Sequence, residues 1–332
     1  MKDFYILRPG KLKRKHNTVY FVFKKKDEIF KKSLPINLIN SIFVLNECGF
    51  NTKFFNFISR FGIPVHIFNY YGFYSGSFLP KRNSVSGYLL VKQVSFYLDK
   101  NKRLYLAKEF VKGAVHNSIK NLVYYHKYYK NLNEEIAKLR DLYSKIDQCE
   151  TIQELMAIEG NCKSVYYHSF DKILGEEYRI DKRTKRPPHN AINALLSFGN
   201  SLLYTTCLNQ IYKTQLDPTI SFLHEPGEMR FSLSLDLAEI FKPVVVDKVI
   251  FKLIKNNIIS DGDFIKELNY AVLNEKGKRI FLKTYEERLS QTIYHKRMKR
   301  HVSYKHLIKL ECFKIIKHLV GDEIYKSFKM LW

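Results

Sequence analysis

Residues 223–243 read LHEPGEMRFSLSLDLAEIFKP and place two acids, Asp236 and Glu239, three positions apart among leucines and an isoleucine. Residues three apart on a helix are neighbours on one surface, so the two carboxylates can present oxygens to one point in space. His224, in the loop before them, can reach the same point. Negative charge on an apolar helix face needs a compensating cation, and this stretch therefore predicts a helix that contributes to a cation site.

The net charge of the chain points to a polyanionic partner. Its 332 residues include 56 lysines and arginines against 32 acids, a formal net charge of +24. This excess predicts nucleic-acid binding, although a lysine-rich surface that reflects a genome of biased base composition is the alternative. The basic residues cluster at 11–16, 24–26, 182–186 and 296–300, and the chain contains 25 Phe, 23 Tyr and one Trp. Cations that follow phosphates and rings that stack on bases fit this composition.

The five cysteines lie far apart and show no paired spacing of the zinc or redox kind. We expect them to be isolated reduced thiols. No run approaches the ~20 apolar residues that span a bilayer, and the amino terminus lacks a cleavable apolar segment. The sequence therefore predicts a cytoplasmic protein with no membrane partner.

The character of the chain changes near residue 80. From 1 to 80, short aromatic and β-branched blocks separated by Gly, Pro and Asn predict a β-rich domain. Its strands are expected at 5–7, 18–23, 41–45, 64–68 and 73–78. One helix is expected between a cap at Asn51 and a stop at Gly62. Residues 81–87 are polar and rich in turn formers, and they predict a linker.

From 88 to 332 the apolar residues follow helical periodicity. A helix is expected at 88–129 with a break near Asp99 or Gly113. Further helices are expected at 132–146, 152–170, 190–214, 233–241, 244–256, 278–298 and 303–328. The predicted fold class is α+β in two domains, a small β-rich amino-terminal domain followed by a larger all-helical domain.

Glu159 is a third candidate acid. Thr151 and Glu154 fit a capping box that opens a helix with an apolar face, and Glu159 lies at the edge of that face. A carboxylate that points inward becomes neutral or finds a cation. Pairing with a lysine is the alternative to a ligand role for Glu159, just as a satisfied structural role is the alternative for His224.

Another apolar helix follows two prolines at 187 and 188. Asn190 can cap this helix, and its leucines form a stripe typical of a buried core. Gly199 lies inside it, where glycine costs ~1 kcal/mol relative to alanine. The glycine therefore indicates that a neighbouring group approaches the helix closely.

Five motifs follow one another along the chain. They are ILRPGKLKRKHNT near the start, YYGFYSGSFLPKR at 70–82, MAIEGN at 156–161, KRPPHNAINALLSFGNSLLY at 185–204 and LDPTISFLHEPGEMRFSLSLDLAEIFKP at 216–243. In their order and spacing they resemble the CRISPR-associated spacer integrases, the Cas-one family. The likeness extends over nearly the whole chain.

The resemblance implies a β-rich domain joined to a helical catalytic domain. It also implies a homodimer that binds double-stranded and branched DNA and a small companion subunit of the adaptation complex. Members of the family hold Mn²⁺ or Mg²⁺ with residues that carry over to Glu159, His224 and Glu239. Asp236 occupies the other acidic position. Many members have two aspartates here, so Glu239 departs from the pattern and leaves open which acid binds the ion.

The implied activity is that of a metal-dependent DNA endonuclease and integrase. Short foreign DNA fragments would be inserted into a CRISPR array by attack of a 3′ hydroxyl on a phosphodiester, with four catalytic residues: Glu159, His224, Asp236 and Glu239. A carboxylate-rich site with one histidine favours manganese or magnesium. Arg186, Arg230 and Lys242 are candidates for phosphate contacts. The rival hypotheses are a non-catalytic nucleic-acid-binding scaffold, in which the carboxylates pair with lysines, and a nuclease that acts on RNA.

Overall fold

A computed structural model describes residues 1–26, 28–81, 85–128, 131–180, 183–184, 187–228, 230–267 and 270–331. The chain divides into two compact units, Met1–Val85 and Ser86–Trp332. Within the described residues, no helix is both long enough and apolar enough to cross a membrane.

The first unit contains two four-stranded sheets. Its strands are β1 Lys2–Ile6, β2 Gly10–Lys15, β3 Thr18–Lys25, β4 Glu28–Pro35, β5 Ile39–Val44, β6 Cys48–Gly49, β7 Val65–Phe68 and β8 Tyr74–Phe78. One sheet has the order β1-β5-β7-β8 and the other β4-β3-β2-β6. β1, β5 and β7 are parallel, and β8 lies at the edge of that sheet, antiparallel to β7.

All five predicted strands are present, but β2, β4 and the two-residue β6 were not predicted. β2 reads GKLKRK with only Leu12 buried, and β4 reads EIFKKSLP with only Leu34 buried. Strands whose lysines face water lack the apolar signal on which the prediction depends. The expected helix is α1, Thr52–Ser59, where the Asn51 side chain accepts the Phe54 N–H and Gly62 follows with φ of +62°.

The second unit is mainly helical. Its helices are α2 Gly87–Leu98, α3 Lys100–Tyr128, α4 Asn133–Lys145, α5 Ile152–His168, α6 Phe170–Leu174, α7 Ala191–Tyr212, α8 Ser232–Phe241, α9 Asp247–Lys255, α10 Glu275–Ser290 and α11 Tyr304–Val320. A π-helical turn, Lys242–Val246, joins α8 to α9. The predicted break between α2 and α3 lies at Asp99, and Gly113 is inside α3.

The expectation that this unit is all-helical was wrong. It contains two antiparallel hairpins, β9 Phe264–Glu267 with β10 Tyr270–Leu273 and β11 Thr292–His295 with β12 Arg300–Ser303. The second hairpin replaces the end of the helix expected over 278–298. The last helix ends at Gly321, which has φ of +88°, because that conformation favours glycine and stops a helix.

α7 is the central helix of this unit. Nearly every residue from Ile192 to Tyr212 is buried, and the helix packs against α8 and the π turn. At Gly199 an added Cβ would lie 2.6 Å from Val246 Cγ1 and 2.8 Å from Phe281 Cζ. The close approach that Gly199 indicates is therefore made by the π turn and by α10.

The π turn is supported by side chains from other helices. Pro243 carries no backbone N–H, and the helical hydrogen-bond ladder is interrupted around it. Three carbonyls near the interruption accept side-chain donors: Ile240 O from Asn117 Nδ2 at 3.0 Å, Pro243 O from Asn121 Nδ2 at 2.8 Å and Val244 O from Arg288 Nε at 2.8 Å. α3 and α10 thereby fix the position of α8 and α9.

Replacement of Gly199 by alanine should destabilise the protein. Overpacking against Val246 and Phe281 typically costs ~1–3 kcal/mol, which exceeds the ~1 kcal/mol that alanine gains in a helix. Chemical denaturation should show a net loss of up to about 2 kcal/mol in the free energy of unfolding. Gly160→Ala is the matched control, since this exposed helical glycine has nothing within 4 Å of an added Cβ. Equal stabilisation of both variants would contradict the packing argument.

Candidate functional site

Glu159 lies on the buried face of α5, as predicted. Leu155, Cys162 and Tyr166 are buried on the same face, and Glu159 is only 6% exposed. The helix begins at the predicted cap, where Thr151 Oγ1 accepts the Glu154 N–H at 3.2 Å. The helical register therefore turns the Glu159 carboxylate into the protein.

The Glu159 and Glu239 carboxylates converge on one ammonium group. Lys163, one turn beyond Glu159 on α5, forms ion pairs with Glu159 Oε1 and with Glu239 Oε2, the latter at 3.0 Å. Lys242 Nζ lies 2.6 Å from Glu239 Oε1. Two acids distant in sequence are thus brought to a single point by α5 and α8, and a cation occupies that point.

Electrostatics keep this cluster charged. Burial alone would raise the pKa of Glu239, but the nearby Lys163 and Lys242 hold it well below its usual range, and His224 lowers it further. Burial opposes the charge of Lys242 as well, and Glu239 nevertheless raises the lysine pKa well above its ordinary value. The buried carboxylate and its lysines therefore remain ionised together.

Asp236 has a different task from Glu239. It is fully buried and accepts the backbone N–H groups of Phe222, Leu223 and His224 at 2.7, 3.0 and 3.0 Å. Its Oδ1 also lies 2.8 Å from His224 Nδ1. Both oxygens are engaged in holding the loop and the imidazole. With Nδ1 donating to Asp236, Nε2 is the ring nitrogen that can accept or ligate.

The cluster lines a small cavity of about 30 Å³. Glu159, Lys163, Glu239 and Lys242 contribute to its wall, together with residues of α3, α5 and α9. A cavity of this size holds about one water molecule or ion. His224 does not line this cavity, although its charge is close enough to affect Glu239.

As the structure stands, the predicted metal triad is only partly assembled. Across the ranges that the structure describes, no three His, Cys, Asp or Glu side chains are close enough to hold a metal ion. The lysine ammonium groups lie between the carboxylates instead. The lysine pairing that sequence analysis kept as the alternative for Glu159 is therefore present in the structure.

Asp247 is a residue of this site that sequence analysis missed. It lies at the start of α9, 1% exposed, and it lines the same cavity. Burial raises the pKa of Asp247 to about 7, an effect that Tyr166 and Lys242 only partly offset. A signal was present, since a single acid interrupts the apolar run VVVDKVIF at 244–251.

The three residues proposed for phosphate contact differ in placement. Arg230 is exposed. Lys242 is 7% exposed, is paired with Glu239, and places its Nζ 5.1 Å from the centre of the Tyr204 ring. Arg186 lies outside the described residues. Lys242 therefore belongs to the cavity and not to the outer surface.

Comparison with known proteins agrees with this architecture. The model of the family described as CRISPR associated protein Cas1 matches residues 4–287. The chain belongs to the Cas1 family. The CRISPR-associated endonuclease Cas1 3 of Thermodesulfovibrio yellowstonii is 47% identical over the full length of both chains. The CRISPR-associated endonuclease Cas1 of Fusobacterium nucleatum is 46% identical, over 100% of this chain and 97% of its own.

Solved Cas1 structures share the fold. A Cas1 protein from Thermotoga maritima matches with a TM-score of 0.87 at 38% identity, covering 99% of this chain and 100% of its own. A casposase bound to an integration product has a TM-score of 0.90 at 21% identity, with 100% and 94% coverage, and shows the fold alone. The family resemblance and the α+β fold class are confirmed, with the two added hairpins as the correction.

The raised pKa of Asp247 predicts a pH-dependent effect of Asp247→Asn. The folded-state pKa of Asp247 exceeds the ordinary value of 3.8. This residue therefore lowers the stability of the folded protein progressively as the pH rises from about 4 to about 7, and below about pH 4 it has no such effect. In EDTA at pH 8, Asp247→Asn should raise the free energy of unfolding by about 2 to 4 kcal/mol, and below pH 4 the two proteins should be equal. Denaturant melts across this range measure the difference.

The exposed Asp141 of α4 supplies the control for this measurement. Its carboxylate pairs with Lys145 on the surface, where an ion pair contributes only ~0–1 kcal/mol. Asp141→Asn should therefore change stability little at any pH. If Asp247→Asn lowered stability at pH 8, the neighbouring groups would favour the ionised carboxylate over its neutral form, contrary to this account.

Proposed function

We propose that this Cas1 protein is a metal-dependent DNA endonuclease and integrase that inserts short foreign DNA fragments into a CRISPR array. The observation that carries the proposal is the convergence of Glu159 and Glu239 on one cation position in a chain of net charge +24. Relatives 46 and 47% identical over the full chain are named endonucleases. The casposase that shares this fold is bound to an integration product.

The donor set suits Mn²⁺ or Mg²⁺. Glu159, Glu239 and Nε2 of His224 would hold the ion, since carboxylate oxygens with one imidazole favour these metals. The bound ion would neutralise charge on the phosphate and on the leaving 3′ oxygen. For it to enter, the Lys163 ammonium must withdraw from between the two carboxylates.

The remaining residues act on geometry and charge. Asp236 would orient the His224 ring through Nδ1 and leave Nε2 as the nitrogen available to an ion, and it would be the positioning acid of the pair. Lys242 keeps Glu239 ionised. If an ion took its place between the carboxylates, the Lys163 ammonium would be available to pair with a phosphate oxygen. Arg230 and Arg186 are the proposed contacts along the DNA backbone.

The proposed partners are double-stranded and branched DNA, a second copy of the chain and a small companion subunit. A chain of a Cas6-RT-Cas1–Cas2 complex matches this fold with a TM-score of 0.83 at 17% identity, over 99% of this chain and 36% of its own. Its assembly with Cas2 supports a companion subunit for this protein. The attacking group in strand transfer would be a DNA 3′ hydroxyl, so no protein nucleophile is needed.

The scaffold hypothesis is favoured by one observation. Both carboxylates already have lysine partners, which satisfies their charge without a metal. A scaffold would keep these pairs when it binds DNA. An enzyme would exchange Lys163 for a divalent ion, and the two experiments below separate these outcomes.

Glu159→Gln should abolish catalysis and leave DNA binding intact. Metal-assisted charge neutralisation contributes several kcal/mol, so nicking and strand joining with Mn²⁺ should fall at least about 100-fold. Gel assays on branched DNA measure both reactions, and a filter assay measures DNA retention. Glu154→Gln, an exposed acid on the same helix, is the matched control and should stay active. Full activity of Glu159→Gln would remove the carboxylate from the mechanism.

Lys163→Met should strengthen metal binding. The native ammonium occupies the cation position, and its loss leaves Glu159 and Glu239 without that competitor. We expect Mn²⁺ affinity, measured by equilibrium dialysis without DNA, to rise about tenfold, which corresponds to ~1.4 kcal/mol. Lys138→Met makes the same charge change at an exposed ion pair with Glu134 on α4 and should leave the affinity unchanged. A weaker Mn²⁺ affinity in Lys163→Met would show that the lysine does not compete with metal.

A further inference from the structure

A second cavity lies between α3, α9 and α10, and it is larger than the cavity lined by Glu159, Glu239 and Asp247, which we call the acidic cavity. The volume of the second cavity is about 350 Å³, within the range of small-molecule sites, which begins at about 300 Å³. Its lining includes four basic side chains, Lys248, Lys252, Lys255 and Arg288, and two tyrosines, Tyr124 and Tyr125. Among its described lining residues there is no Asp or Glu. We name it the basic cavity.

The positive charges of Lys248 and Arg288 are electrostatically unfavourable in this cavity. Burial lowers the pKa of Lys248 to about 8, the nearby Arg288 lowers it further by repulsion, and Asp247 opposes these effects only in part. Burial also lowers the pKa of Arg288. Lys248 and Arg288 are like charges that face one cavity with no carboxylate in its described wall, and an anion in the cavity would offset their repulsion.

The cations are also fixed in position. Arg288 donates from Nε to Val244 O at 2.8 Å and from Nη1 to Gln291 Oε1 at 2.6 Å, and its guanidinium lies 4.1 Å from the centre of the Tyr304 ring. Its Nη2 is buried and makes no hydrogen bond of normal geometry within the described residues. Lys248 Nζ lies 4.4 Å from the Tyr124 ring centre and 5.1 Å from that of Tyr125. Aromatic faces and a carbonyl thus fix the two cations in position.

The basic cavity adjoins the acidic one. Asp247 lines the acidic cavity, and the next residue, Lys248, lines the basic cavity, so the first turn of α9 separates them. The Tyr124 ring is 42% exposed and can meet an incoming planar group. A strand with its reacting phosphodiester at the acidic cavity would bring a neighbouring phosphate to Lys248 and Arg288.

We propose that the basic cavity binds a phosphate group of a nucleic-acid strand, held by Lys248 and the unsatisfied Nη2 of Arg288. The phosphate chemistry follows from the cavity itself. Its assignment to a nucleic acid, instead of free phosphate, rests on the proposed function. This site is distinct from the Glu159 and Glu239 cluster and requires no metal.

The test measures binding in EDTA, where the acidic cluster cannot use a divalent ion. Inorganic phosphate is titrated into the full-length protein by calorimetry, and a fluorescent single-stranded hexanucleotide is titrated by anisotropy at several salt concentrations. Lys248→Met should weaken both ligands about tenfold, as expected for a charge-assisted hydrogen bond of about 1.5 kcal/mol or more. The salt dependence of hexanucleotide affinity should lose roughly 0.7 in its logarithmic slope.

Three further variants make the result specific. Lys283→Met removes an exposed lysine from α10 outside the cavity and should bind as the native protein does. Lys248→Arg keeps the charge and should restore affinity to within about threefold of native, which a purely structural role for the lysine would not predict. Glu159→Gln should retain phosphate binding in EDTA, even if it abolishes catalysis.

Each contrary outcome is informative. Native affinity for phosphate in Lys248→Met overturns the site, and loss of phosphate binding in Glu159→Gln would place the anion at the acidic cavity instead. If only inorganic phosphate is weakened and the hexanucleotide is not, the nucleic-acid assignment is wrong. Because none of these binding measurements requires strand cleavage, they can be interpreted even if the proposed enzyme activity is absent.

Discussion

The shared ion pair of Lys163 with Glu159 and Glu239 is the interaction on which the catalytic unit depends. Two buried carboxylates at one point repel each other, and only a cation between them makes their burial tolerable. An ammonium satisfies this need in the structure, and a divalent metal would satisfy it with more charge. The same electrostatic demand therefore stabilises the folded protein and defines where a metal-dependent reaction would take place.

The backbone around this cluster is shaped to present it. α8 carries Asp236 and Glu239 on adjacent positions of one face. Asp236 holds the His224 loop, whereas Glu239 faces the acidic cavity. The π turn after α8 then redirects the chain so that Asp247 lines the acidic cavity and Lys248 lines the basic one. Asn117, Asn121 and Arg288 satisfy the carbonyls that this irregular turn would otherwise leave unpaired. Arg288 thus both supports the π turn and contributes positive charge to the basic cavity.

Sequence analysis was reliable where a local rule decides the structure. The Asn51 cap, the stop at Gly62 and the Thr151 cap each depend on a few neighbouring residues, and each was found. The break in the helix predicted at 88–129 was expected near Asp99 or Gly113, and the structure has it at Asp99. Sequence analysis failed where partners are remote. The lysine-rich β2 and β4 are strands because β3 pairs with both. The hairpin β11–β12 replaces the end of a predicted helix, and β9–β10 lies between two predicted helices, where no element was predicted. Asp247 was overlooked because its burial comes from several helices.

By itself, the sequence determined the two-part α+β organisation, the strongly basic charge, the family and the identity of Glu159, His224, Asp236 and Glu239 as candidates. These follow from periodicity, composition and motif order, all of which can be read directly from the amino-acid sequence. Only the tertiary structure decided that Asp236 is fully occupied by backbone donors, that lysines stand between the carboxylates and that two desolvated cations face a second cavity. The physical reason is that hydrogen-bond saturation, burial and charge repulsion depend on distances between helices, which no spacing within one helix specifies.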